Sequence, residues 1–137
     1  MRNKTILTSV AVLLFSCKIF AQDAAALYKE GVKLKEEKNV NLALEKFTKA
    51  VALKPDYTEA LYEMGWCQND LAKFKEANST LKKVLKRWNK EPKVYFELAY
   101  SFQKIDYTDS AIKYYNKCLE LKPDHSEVYK QLGYKVW

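Results

Sequence analysis

The sequence predicts an all-α fold built from repeated helical pairs, and three observations predict it. The string LKPD begins at Leu53 and again at Leu121, 68 residues apart. Small residues recur at half that interval, at Gly31, Gly65, Ala99 and Gly133 and again at Ala43, Ala77 and Ala111. A fixed period of this length marks stacked supersecondary units. The composition agrees: 48% hydrophobic and 30% charged residues, with three glycines and three prolines in 137 residues, suit a helical protein rather than a disordered one.

The first element is different in kind. Arg2 and Lys4 precede the apolar stretch TILTSVAVLLFSCKIFAQ, which Lys18 interrupts. A basic start, a short apolar run and a small residue form a secretory signal, too short and broken for a membrane span of about 20 residues. Cleavage is expected after Ala21, giving a leader over 1–21 and a repeat domain over 22–137. A competing reading takes LFSC, ending at Cys17, as a bacterial lipoprotein box with lipid on Cys17; Phe15 departs from that box. The expectation is an exported protein of the bacterial type, periplasmic or associated with the cell envelope. Loss of Arg2, Lys4 and Lys18 from the formal +7 leaves 21 basic against 17 acidic side chains, or +4. Such a balance spread over helices is a solvated surface, not a nucleic-acid footprint.

The repeats then run in order. The spacing predicts helices over 24–37, 41–53, 57–71, 74–88, 92–104, 108–121 and 125–137. Asp56 with Glu59, and Asp124 with Glu127, read as acidic capping boxes at helix starts. Pro55 and Pro123 close the preceding helices, and polar breaks near Lys38, Ala72 and Asp106 divide each pair. RWNKEP (residues 87–92), which stands where LKPD is expected, marks the weakest join. Cys67 and Cys118 fall in different helices and are expected to be buried free thiols.

Large apolar residues also recur in register, at Phe47, Leu81 and Tyr115. With the small residues and prolines, the pattern over about Ala24 to Trp137 resembles the tetratricopeptide repeat. The resemblance implies repeats at about 24–57, 58–91 and 92–125 with a half repeat at 126–137. It implies a right-handed superhelical solenoid of helix-turn-helix units with a concave groove. It also assigns Gly31, Gly65, Ala99, Gly133, Ala43, Ala77 and Ala111 to the close contact between paired helices.

Side chains in a helix lie 100° apart. With the small residue at zero, Leu27, Leu61, Tyr95, Leu98 and their equivalents fall at about −40° to −100° and form the core stripe, with Glu30 and Gln68 as departures. Residues at about +40° to +100° form a second stripe, which the family places on the concave wall. There Tyr28, Tyr62, Trp66, Phe96, Tyr100 and Tyr134 make an aromatic ladder, and Asn69, Lys93, Gln103 and Lys104 add polar groups near it. Tyrosine and tryptophan give rigid contact area with a polar handle. The ladder is the expected binding site for a protein or peptide, its contacts more apolar and stacking than charged. The family's clamp for a terminal carboxylate is not present: its positions hold Tyr28, Val32, Glu63, Lys93 and Glu97, of which only Lys93 fits.

Other functions find little support. His125 stands alone in an inter-repeat turn, and one histidine with two separated cysteines makes no metal site. No phosphate-cradling glycine loop is present. The expectation is a non-catalytic module with no cofactor, no metal and no nucleic-acid partner. Its only membrane link would be a lipid on Cys17. Lys82, Lys83, Lys86, Arg87 and Lys90 beside Trp88 read as a solvated helix face. An assembly scaffold, or the N-terminal part of a larger repeat protein, is the alternative.

Overall fold

The computed structural model describes residues 23–133. The leader over 1–21 with Cys17, and the expected groove residue Tyr134, lie outside them. Among the described residues all regular structure is helical. Helix α1 covers 23–36 and is followed by α2 (Val40–Leu53), α3 (Thr58–Asp70), α4 (Phe74–Leu85), α5 (Pro92–Lys104), α6 (Thr108–Leu121) and α7 (Ser126–Gln131). Helices α1 and α2 belong to one compact unit and α3 to α7 to a second. No described helix is long and apolar enough to cross a membrane.

In the first unit α2 buries Ala43, Phe47 and Ala50, a stripe at i, i+4, i+7. A Cβ built on Gly31 of α1 would sit 2.7 Å from Phe47 Cε1, so a larger residue would force the pair apart. Tyr28 lies against Phe47 and Tyr57, with ring centroids 5.8 and 5.1 Å apart. Glu30, the departure from the core stripe, pairs with Lys46 at 3.0 Å.

The second unit repeats that stripe twice. Helix α4 buries Ala77, Leu81 and Val84, and α6 buries Ala111, Tyr115 and Cys118. A Cβ on Gly65 of α3 would lie 2.7 Å from Leu81 Cδ2, while Ala99 of α5 packs with Tyr115 and Ala111. Both Cys67 and Cys118 are buried free thiols. Gly133 departs from this scheme. It is exposed, its φ is +77°, and nothing lies within 4 Å of an added Cβ. It serves the left-handed backbone just past α7, not a helix contact.

The breaks within the pairs share one geometry. Lys38, Ala72 and Asp106 have φ of 62°, 59° and 62°. In each case the next amide bonds back five positions: Asn39 N to Leu34 O, Lys73 N to Gln68 O, and Tyr107 N to Phe102 O, at 2.8, 2.7 and 3.0 Å. These are Schellman turns, which satisfy the carbonyls at a helix end. The turn ties the two helices without a side-chain cap; none is made by Asn39, Lys73 or Tyr107.

Three sequence expectations about helix ends are corrected. Helix α7 starts after His125, which makes no side-chain cap, and Glu127 pairs instead with Lys130 at 3.2 Å. Asp56 stands two residues before α3 rather than at its start. Helix α4 ends at Leu85, three residues earlier than the spacing suggests, because Arg87 and Trp88 turn back onto Val84 O. The join at residues 87–92 is well tied: Tyr95 Oη donates to Asn89 O at 2.8 Å, and Trp88 lies 6.0 Å from the Tyr62 ring. One repeat later Tyr129 Oη makes the same bond to Pro123 O at 2.7 Å.

Candidate functional site

The surface of the second unit carries a cavity of about 370 Å³ between α3, α5 and α7. Helix α3 contributes Trp66, Asn69 and Asp70, helix α5 contributes Phe96, Glu97 and Tyr100, and helix α7 contributes Glu127 and Gln131. The spacing explains why these meet. Three and four residues carry a helix back to the same face, so Trp66, Asn69 and Asp70 share a side of α3, as Phe96, Glu97 and Tyr100 share one of α5.

Four of the expected residues thus come together here: Trp66, Asn69, Phe96 and Tyr100. Phe96 is held from behind by His125, stacked at 5.1 Å and 16°, and by Tyr115. The lone histidine is therefore packed, not a bare turn residue. Tyr100 meets Phe74 edge-on at 6.2 Å, and Lys104 Nζ lies 5.2 Å from its ring. Asn69 is 4% exposed. Its Nδ2 donates to Glu97 O and to Glu97 Oε2, at 2.9 and 2.8 Å, while its Oδ1 has no hydrogen-bond partner.

The other expected residues go elsewhere. Tyr62 packs on the cluster of Ala77, Leu81 and Leu98. Lys93 Nζ lies over Tyr62 and Trp88, 4.6 and 4.9 Å from their centroids. Burial pushes the Tyr62 hydroxyl far above its ordinary value, and the Glu97 and Glu63 charges add to it. Gln103 lines a separate cavity of about 170 Å³ with Tyr115 and Leu132. Its Oε1 accepts from Tyr115 Oη at 2.8 Å and its Nε2 donates to Gln131 O at 3.4 Å. Tyr28 belongs to the first unit, as described above.

Sequence reasoning missed Asp70, Glu97, Glu127 and Gln131. The signal was present. On the angular scale set by the small residues they fall at about +120° to +160°, just past the stripe chosen, which stopped at +100°. Beside its three rings, three carboxylates and no basic residue line this cavity. Glu127 accepts from Lys130 Nζ and from Gln131 Nε2, at 3.2 and 3.3 Å, and these bonds hold its carboxyl below the usual range. Among the described residues no group of three or more His, Cys, Asp or Glu side chains could hold a metal ion.

Residues 34–95 and 92–125 match two models of the tetratricopeptide repeat. The chain belongs to the tetratricopeptide-repeat family. Solved structures share the fold. MamA (residue 41 to the end) from Desulfovibrio magneticus RS-1 is 22% identical over 81% of this chain and 63% of that one, with a TM-score of 0.78. The first repeat domain of Spaghetti (RPAP3), solved with an HSP90 peptide, is 22% identical over 82% and 89%, with a TM-score of 0.76. YrrB, described as having an unusual peptide-binding site, is 18% identical over 94% and 70%, also at 0.76. The chain thus spans less than two thirds of the MamA chain it matches. No curated protein matches the chain in sequence.

Proposed function

We propose that this tetratricopeptide-repeat chain is a non-catalytic module of the cell envelope that binds a protein segment against Trp66, Phe96 and Tyr100. One observation carries the reading: three aromatic side chains from two helices open onto one cavity, backed by further rings that fix their positions. Rigid aromatic area of this kind is characteristic of recognition surfaces. Relatives of the same fold supply a precedent, since Spaghetti was solved with a bound peptide and YrrB is described by its peptide-binding site. The envelope location rests on the leader-like residues 1–21.

The mature chain isolated from an envelope fraction should begin at Gln22 by mass spectrometry. Immobilised, it should retain a protein partner from that fraction. Trp66→Ala with Tyr100→Ala should cut retention at least about tenfold while the circular dichroism spectrum stays helical. Undiminished retention by the double variant counts against this cavity as the site.

A further inference from the structure

The cavity has an excess of hydrogen-bond acceptors. Asp70, Glu97 and Glu127 can only accept when ionised. Both Asn69 amide hydrogens go to Glu97, and the Gln131 amide donates to Glu127. What remains is Asn69 Oδ1, an acceptor on a side chain 4% exposed that has no donor. A buried polar atom left in this way calls for a partner. The polar side chains of the cavity therefore favour a ligand that donates, and its carboxylates, although Glu127 already pairs with Lys130, favour one that is positive.

The rings ask for the same thing. Aromatic faces attract cations, and the protein's own lysines already use rings in and beside the cavity. Lys104 lies over Tyr100, and Lys93 over Tyr62 and Trp88. Neither lysine lines the cavity. A local acidic patch is the more distinctive because the whole chain is formally +7. An acidic peptide would meet like charges here.

We propose that the bound segment presents an arginine to this cavity. The inference rests on the peptide-binding reading above and specifies its partner. Arginine fits better than lysine because its planar guanidinium carries five donors in a fixed fork, sheds water more readily, and stacks on aromatic rings. The fork answers several acceptors at once, the exposed Asp70 carboxylate among them, while Trp66 and Phe96 provide flat surfaces.

The test uses the full chain and four capped pentapeptides, Ala-Leu-X-Leu-Ala, with arginine, lysine, glutamine or glutamate at X. Binding is followed by two-dimensional NMR through the Trp66 indole and Asn69 side-chain amide signals. The arginine peptide should shift both signals, and lysine should bind more weakly. Glutamine and glutamate should bind at least about tenfold more weakly, the worth of a charge-assisted hydrogen bond. Asp70→Asn with Glu127→Gln should remove the preference for arginine; both side chains lie outside the buried core, and an unchanged melting temperature shows the fold intact. If all four peptides bind equally and Trp66→Ala abolishes binding, the groove reading stands and the arginine assignment is overturned. A preference for glutamate or glutamine overturns it too. If no peptide moves either signal, both readings fall.

Discussion

At the scale of single residues, identical positions in the period do different work because their neighbours differ. Gly65 and Gly133 are 68 residues apart in sequence. One faces Leu81, with its Cγ 2.8 Å from where a Cβ would stand; the other has φ +77° and open space. Nothing in a list of small residues separates the two, since the difference lies in whether a second helix packs over them. Gly65→Leu should therefore destabilise by overpacking, about 1–3 kcal/mol. Leu81 meets the new atoms with its branch point rather than with a flexible tip. Urea denaturation checks this, and an unchanged midpoint would remove Gly65 from the helix contact.

At the scale of elements, the helical pairs are set by two things, the buried stripe and the turn. The stripe was legible in sequence, because Ala43, Phe47 and Ala50 recur as Ala77, Leu81 and Val84 and as Ala111, Tyr115 and Cys118. The breaks were legible too, but their conformation was not. Lys38, Ala72 and Asp106 share a left-handed backbone although none is glycine, so residue type carried no hint of it. Side chains in that region cost roughly 1–2 kcal/mol. Ala72 is exposed, so its methyl contributes no buried packing. Ala72→Gly should accordingly raise stability by about 1 kcal/mol, glycine being the residue helix ends of this type favour. Thermal unfolding reads this as a higher midpoint. A lower midpoint would mean that the greater freedom of glycine in the unfolded chain outweighs the relief of strain.

At the scale of the whole molecule, the period was readable from end to end, and the site only in part. Trp66, Asn69, Phe96 and Tyr100 were found because aromatic residues follow the repeat, whereas Asp70, Glu97 and Glu127 look like any solvated carboxylate until three helices place them together. The same packing governs how the protein meets alkali. Burial pushes the Cys118 thiol from an ordinary 9.0 up to about 11, and Cys118 is fully buried, at 0% exposure. A group whose pKa is raised by folding contributes stability that is complete below its unfolded value and is lost as pH climbs to its folded value. Between pH 9 and 11 the thiolate forms only in the unfolded chain. Stability should fall there by up to about 1.4 kcal/mol per pH unit from this group, or about 3 kcal/mol in all. Tyr62 and Tyr115, also raised by burial from 10.0, join the loss only from about pH 10. The interval from 9 to 10 therefore isolates the thiol from both phenols. Urea titrations at pH 8, 9 and 10 should show a decline in the natural chain that is shallower in Cys118→Ala, whatever that change costs at pH 8. Parallel slopes in the two chains would mean that Cys118 reaches water and ionises without unfolding.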